Sequence, residues 1–140
     1  MDVTTIREGI KTNLSVISGL AVHPVMGGSV NPPAALIQPA DDFIDYHTAN
    51  AKGLCTIRFN LQLLVGRQDE RRAQEALDAY LSAGTGETKS VVDAIEADKT
   101  LNGSCAECIV TGAGPYFSVD QGEMTLGSAI LNLTTYAPRT

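Results

Sequence analysis

Two cysteines separated by two residues, Cys105 and Cys108, form the pattern in this sequence with the most evident chemical potential. A CxxC pair can supply half of a zinc site or a redox-active dithiol. A structural zinc ion needs two further ligands, and Cys55, His23 and His47 do not form a second closely spaced pair. A redox dithiol is typical of a helix start, whereas this pair precedes a predicted strand. We therefore interpret both cysteines as small thiols in a turn.

Nucleophilic catalysis needs a Ser or Cys beside a histidine base and an orienting acid. His23 precedes a proline in a short strand pattern, and His47 lies in a predicted loop, so we interpret both as surface or core-edge residues. The cluster of Asp41, Asp42 and Asp45 could bind a divalent cation through oxygen, but its spacing is not that of a calcium loop. We interpret this cluster as a solvated acidic edge that protects an exposed strand.

Two glycine pairs, Gly84-x-Gly86 and Gly112-x-Gly114, are the nearest approach to a phosphate-binding loop. Neither is followed by Lys and Ser or Thr, and neither forms GxGxxG. Both pairs are typical of turns and helix ends. The sequence thus predicts no catalytic residue, no cofactor-binding residue and no metal ligand, and we do not expect an enzyme.

Composition predicts one small globular domain over residues 1–140. The chain is 44% apolar and 19% charged, long enough for one core and too short for two ordinary domains. Its net charge of −6, with scattered basic residues, disfavours binding to a phosphate backbone. The chain has neither the roughly 20-residue apolar run of a membrane-spanning helix nor the pattern of a signal peptide. We expect the protein to stay where it is made, with its three cysteines reduced.

Three segments carry the three-and-four spacing of apolar residues that predicts an amphipathic helix. The first runs over 3–18. Its start is either a capping box formed by Thr5 and Glu8 or, one turn earlier, Asp2.

The second predicted helix opens at Asp69 and ends before the first glycine pair. Its apolar stripe consists of Ala73, Ala76, Leu77, Tyr80 and Leu81. The third runs over 90–97, with Ser90 and Asp93 as its capping pair and with Val92 and Ile95 turned inward.

Strand patterns flank the second and third helices. The clearest alternates apolar and polar residues over 57–65, which predicts a strand with one buried face. The segment around Phe43 is predicted to pair with it as a hairpin across the loop 47–53. Short strands are predicted at 20–25 and 34–38, and the prolines that bound the second place it at a sheet edge.

Two more strands, 107–111 and 123–136, follow the helices and are separated by a glycine-rich loop, 113–122. Another such loop is predicted at 26–32. The order α-β-β-β-β-α-α-β-β groups strands together, which predicts an α+β fold. We expect a mixed, mostly antiparallel sheet of four to six strands, covered on one face by two to three helices.

The uncovered face of this sheet is predicted to be polar and low in charge. Its members are Thr56, Arg58, Asn60, Gln62, Asn132 and Thr134. We expect Arg58 to make either a subunit contact or a local ion pair. The proline-bounded strand and the terminal strand are predicted edges that invite partners. A domain of this kind gains by assembling, and closed rings are the usual result of head-to-tail contacts.

Several segments of the chain resemble the small tail and neck proteins of long-tailed phages, in the same order and over most of the length. These segments are SVNPPAA (29–35), LVGR (64–67), RAQ (72–74), LDAYL (77–81), AIEAD-x-TL (94–101) and VTG-x-GPY (110–116). The strand–Gly-Arg–helix junction and the Gly-Pro-Tyr turn are the most specific of them. Within that set, the chain is most similar to the tail terminator (tail completion or minor tail) proteins of siphophages.

This resemblance implies a mixed α/β layer and a structural role without a cofactor. A tail terminator forms a homo-oligomeric ring, commonly a hexamer, on the finished tail tube. The ring stops polymerisation of the tail tube protein and offers the surface that docks to the head connector. It implies a subunit assembled in the host cytoplasm and located in the virion at the head–tail junction, with DNA only as cargo passing through the lumen.

Three alternatives remain open. A head-completion or neck protein would share the small α+β size, and a tail-tube subunit would polymerise on its own. A small metal-dependent enzyme would need a cleft with a metal or perturbed acids, and elemental analysis of zinc would reveal it.

Overall fold

The computed structural model describes residues 1–23, 32–47, 53–66, 70–121 and 124–139. Most of two predicted loops, 26–32 and 47–53, lies outside these ranges. The helices are α1 (Val3–Leu14), α2 (Glu70–Leu81) and α3 (Val91–Glu96). The strands are β1 (Ala21–His23), β2 (Ala34–Asp45), β3 (Leu54–Gly66), β4 (Glu107–Ala113), β5 (Phe117–Gln121) and β6 (Met124–Pro138).

The six strands form one sheet in the order β1-β2-β3-β6-β4, and β5 also pairs with β6. β1 and β2 are parallel, and the other pairs are antiparallel. β6 therefore has β3 along one side and both β4 and β5 along the other. Between β4 and β5, the Gly114 amide donates to the Ile130 carbonyl at 2.8 Å, so the two strands form one outer lane. The α+β fold with a mixed, mostly antiparallel sheet is confirmed.

The core lies between one face of the sheet and the three helices. On β3, alternate residues are fully buried on this face, as the period of two predicts. The larger members of this core are Ile57, Phe59, Leu61, Leu63, Leu131 and Leu133 from the sheet and Ile6, Ile10, Leu14, Leu77 and Ile95 from the helices. The expected one-sided helical cover is confirmed.

α1 begins at the earlier of its two predicted caps. The Asp2 carboxylate accepts the amide of Thr5 at 3.3 Å. Hydrogen bonds from the Thr5 side chain and then from its amide lower the pKa of Asp2. The predicted end at residue 18 is wrong, because the helix ends at Leu14. The Ser15 hydroxyl donates to the Thr12 carbonyl at 2.6 Å and closes the last turn.

α2 carries the predicted apolar stripe, with Ala73, Leu77 and Tyr80 buried. Its first described residue is Glu70, and the predicted start at Asp69 lies outside the described ranges.

α3 has the predicted cap, since the Ser90 hydroxyl accepts the Asp93 amide at 3.1 Å. Its inward residues are Val91 and Ile95, which are both fully buried, whereas Val92 is only partly buried. Val92 packs against the edge of the core, as predicted, but remains partly exposed. Val91 and Ile95 are four residues apart and share one face of the helix.

The strand predicted at 34–38 and the segment around Phe43 form a single strand, β2. Pro39 does not end it, because a register shift between Pro39 and Ile44 accommodates a residue without an amide hydrogen. The predicted hairpin with β3 is confirmed. The prediction that the strand at 34–38 lies at the edge of the sheet is wrong, because β1 pairs with its first residues and forms the edge there.

The C-terminal half of the sheet differs most from prediction. β4 continues through Gly112 to Ala113, with a register shift after Val110. The predicted loop 113–122 contains β5. β6 is an interior strand rather than an edge, so the free edges of the described sheet are β1 on one side and the β4–β5 lane on the other.

Candidate functional site

The CxxC pair sits where the turn after α3 enters β4. Cys105 and Cys108 are both buried free thiols. The Cys105 thiol donates to the Lys99 carbonyl at 3.5 Å, and the Thr135 hydroxyl donates to the Cys108 sulfur at 3.5 Å. These contacts tie the turn to β6 and leave the sulfurs facing protein.

Burial raises the pKa of Cys105 to about 12 and that of Cys108 to about 11. Both thiols are therefore protonated at neutral pH and are poor nucleophiles in this environment. Cys55 is also buried and lies on β3. Across the described ranges, no group of three or more His, Cys, Asp or Glu side chains is placed to hold a metal ion.

The two histidines lie toward opposite ends of the sheet. His23 belongs to the edge strand β1, and its Nε2 atom is buried without a hydrogen-bond partner within the described part of the chain. His47 follows β2, and its Nδ1 atom lies 3.5 Å from a guanidinium nitrogen of Arg139. The fold does not bring these two rings together.

The acidic cluster lies on the irregular second half of β2. Asp42 forms an ion pair with Arg58 of β3, with 3.4 Å between Oδ2 and the guanidinium nitrogen. Asp45 accepts the backbone amide of His47 at 3.0 Å. The predicted contact of Arg58 is thus a local ion pair within one chain. The Arg58 side chain is partly exposed and the Asp42 side chain is largely exposed, so this ion pair contributes little to stability.

The glycine pairs serve backbone geometry. Gly84 and Gly86 have φ of +73° and +80° in the turn after α2, a conformation that favours glycine. The Gly84 amide donates to the Asp93 carboxylate at 3.1 Å, which links this turn to α3. The second pair belongs to the β4–β5 lane.

The sheet face opposite the helices, here called the open face, carries a ladder of amide and hydroxyl groups. The Gln38 amide donates to the Gln62 side-chain oxygen at 3.1 Å, and the Gln62 amide donates to the Ser128 hydroxyl at 3.2 Å. A shallow groove of about 190 Å³ runs beside this ladder and is lined by Arg58, Asn60, Thr111, Asn132 and Thr134, among others. Charge is sparse here, as predicted, so a protein partner could cover this face with little desolvation of charge.

A second feature, the edge pocket, lies between α2 and β5 and has a volume of about 110 Å³. Its lining residues are Ala73, Gln74, Leu77, Tyr116, Phe117, Ser118 and Gly127. The Tyr116 hydroxyl donates to the Asp78 carboxylate, which fastens the Gly-Pro-Tyr turn to α2.

The edge pocket is flanked by exposed aromatic surface, since Tyr116 and Phe117 are 41% and 40% exposed. The pocket was not predicted, because both residues fall in the segment 113–122, which the sequence pattern indicates to be a loop. Two adjacent aromatic residues after Gly-Pro in an otherwise polar segment are the signal that could have indicated it.

Comparison with protein-family models and with curated protein sequences gave no match to this chain. Among the described residues, the helices lack the length and apolar character needed to cross a bilayer.

Proposed function

We propose that this chain is a tail terminator, a structural subunit that forms a ring on the end of a phage tail tube. The observation that carries the proposal is the asymmetry of the sheet. Helices cover one face of the described sheet. The open face carries polar side chains of low charge and, toward one end, a small buried apolar cluster of Ala34, Leu64 and Leu126. The described sheet has free edges at β1 and at the β4–β5 lane. Together with the ordered resemblance along the chain, this asymmetry favours a subunit whose remaining surface is completed by neighbours.

In this role the ring ends polymerisation of the tail tube protein and docks to the head connector. The protein acts by contact alone, and its place is the head–tail junction of the virion. The protonated, buried thiols of Cys105 and Cys108 belong to the core of the subunit.

The chain's acidity has a place in this proposal. Asp41, Asp42 and Asp45 of the β2 segment would face the lumen and repel DNA as it passes. The triple substitution Asp41/Asp42/Asp45→Asn tests this placement by measuring tail assembly and DNA ejection. We expect assembled tails with slowed ejection, and normal ejection would contradict a lumenal position for the cluster.

The terminator role is tested by adding the purified protein to tail tube protein of the same phage as it polymerises. We expect tubes of limited length with an extra ring at one end by electron microscopy. Tubes that grow as long as in its absence, with no bound protein, would contradict the proposal. Binding to the head connector but not to the tube would instead identify a neck protein.

A further inference from the structure

The outer side of β4 has no neighbouring strand in the described sheet, yet two of its outward amides are already bonded. In an edge strand, alternate residues direct their amides away from the paired neighbour. The Cys108 amide donates to the Lys99 carbonyl at 2.6 Å, and the Val110 amide donates to the Glu96 carboxylate at 3.1 Å. Both acceptors belong to α3 and the turn after it, so this segment takes the place of a neighbouring strand along the first half of β4.

The position of Glu96 is set by contacts that hold the end of α3 in place. Glu96 is the last residue of α3. The Asn13 side chain of α1 donates to the carbonyls of Ile95 and Asp98, at 3.0 and 2.9 Å. Ile95 itself is fully buried in the core. The carboxylate therefore meets the Val110 amide from a fixed helix end, and their bond requires the ordering of one side chain only.

The sequence of β4 is itself suited to pairing with other chains. Residues 108–113 contain neither a charged residue nor a proline. Three successive β-branched residues, Ile109, Val110 and Thr111, favour extended backbone. A short run with high strand propensity, no charge and no proline is typical of segments that pair with copies of themselves. Natural edge strands often carry a lysine or a proline against such pairing, and this run has neither.

Protection of β4 therefore depends on its backbone geometry and on the segment beside it. The register shift after Val110 disturbs the second half of the strand, and such irregularities discourage pairing. The regular part that remains is the stretch around Cys108 and Val110, where the two outward amides are bonded. The carboxylate on this edge is a further barrier, because an incoming strand would have to displace or desolvate a charge.

We propose that Glu96 is an edge guard, a residue whose carboxylate closes β4 against antiparallel pairing with β4 of a second copy. The guard keeps subunits from associating edge to edge through β4, so contacts between copies use other surfaces. This inference goes beyond the proposed function and does not depend on it, because the protected edge is a property of the isolated chain.

The test removes the guard and follows the amide that it binds. Glu96→Ala deletes the carboxylate, whereas Glu96→Gln keeps an acceptor oxygen at the same place. Glu107→Ala is the matched control, since it deletes one carboxylate from an exposed residue at the start of β4. Amide hydrogen exchange measured by NMR reports on Val110 and Cys108, and sedimentation over a range of concentrations reports on self-association.

In Glu96→Ala we expect the Val110 amide to exchange at least about tenfold faster than in wild type, because a hydrogen bond to a charged acceptor is lost. The Cys108 amide should change little, because its acceptor is a backbone carbonyl. Glu96→Ala should also self-associate at a roughly tenfold lower concentration, since a strand amide becomes available for pairing. Glu107→Ala should match wild type, and Glu96→Gln should lie closer to wild type than to Glu96→Ala. Slow exchange of the Leu61 amide, in the interior strand β3, shows that each variant is folded.

Three results would overturn the inference. Unchanged exchange at Val110 in Glu96→Ala would show that the carboxylate does not close this amide. Faster exchange without stronger self-association than in Glu107→Ala would show that the edge needs no guard. If Glu96→Ala gave more of the closed rings that wild type forms, as seen by electron microscopy, β4 would be a ring contact and the guard role would be wrong, while the terminator proposal would stand. Tail tubes unaffected by the wild-type protein would contradict the terminator proposal alone.

Discussion

The two faces of β3 differ in what their side chains contact, although they alternate along one strand. Ile57, Phe59 and Leu61 face the helices and are fully buried. Arg58 and Gln62, between and beside them, remain partly exposed and bond to groups on neighbouring strands. The main core thus lies on one face of β3, and the other face has only a small buried apolar cluster around Leu64. Substitutions on the other face should alter contacts with partners while the subunit stays folded.

The largest expected effect is on the covered face. Leu61→Ala should lower the free energy of unfolding by about 2–5 kcal/mol, because it leaves a cavity in the core. Gln62→Ala, the adjacent residue on the open face, should cost about 1 kcal/mol for two lost hydrogen bonds. Urea unfolding followed by circular dichroism measures both. Equal losses for the two variants would break the distinction between the faces.

The buried thiol of Cys108, in the core between the sheet and the helices, should make the free energy of unfolding depend on pH. Burial raises the pKa of Cys108 from 9.0 to about 11, so between these values the unfolded chain loses the proton and the folded protein keeps it. The contribution of the Cys108 thiol to the free energy of unfolding is fully present below pH 9. It is lost as the pH rises toward 11, by about 2–3 kcal/mol. The unfolding free energy of wild type should fall more steeply over this window than that of Cys108→Ala. Parallel curves would show that the thiol is solvated.

Contact between α1 and the turn after α3 should tolerate no added atom. A Cβ at Gly9 would lie 2.8 Å from the Leu101 Cβ and 3.1 Å from the Leu101 carbonyl oxygen. Gly9→Ala should therefore cost about 1–3 kcal/mol through displacement of the turn. Gly66→Ala is the matched control, because none of the described residues beyond its chain neighbours has an atom within 4 Å of the added Cβ. It should change stability by less than about 0.5 kcal/mol. Thermal unfolding of both variants decides whether the helix layer is packed this tightly.

The smallest expected effect belongs to the open face. Arg58→Ala removes the exposed ion pair with Asp42 and should lower stability by less than about 1 kcal/mol, with a smaller difference at high salt. Ring formation by the same variant, followed by sedimentation, shows whether the groove around Arg58 also contacts a neighbour. A variant unchanged in both stability and assembly would remove Arg58 from either role.

Elements with a strong local pattern could be predicted from the sequence. The alternation over 57–65 and the stripe of Ala73, Leu77 and Tyr80 identified β3 and α2, because burial on one face imposes a period of two or 3.6. β5 was missed because its alternation, Phe117 and Val119, covers only five residues after a proline. Its strand geometry is completed by pairing with β6.

The surfaces were harder to predict than the elements. The polar members of the open face follow directly from the alternation on β3, so they could be named in advance. The edge pocket requires α2 and β5 to lie side by side, and they are far apart in the chain. The position of β6 between two neighbours is likewise a long-range result. No local pattern distinguishes an interior strand with few charges from an edge strand of the same composition.

The central position of β6 also has a consequence during synthesis. Both of its neighbours, β3 on one side and the β4–β5 lane on the other, are made before it on the ribosome. Pairs such as Leu54 with Pro138 join distant parts of the chain, and such non-local pairing slows folding. Until residues 124–138 emerge, the nascent chain exposes two unpaired strand edges that could template aggregation. This strand acts as a late closing step, and truncation or stalling before it should yield insoluble protein even though every helix has already been translated.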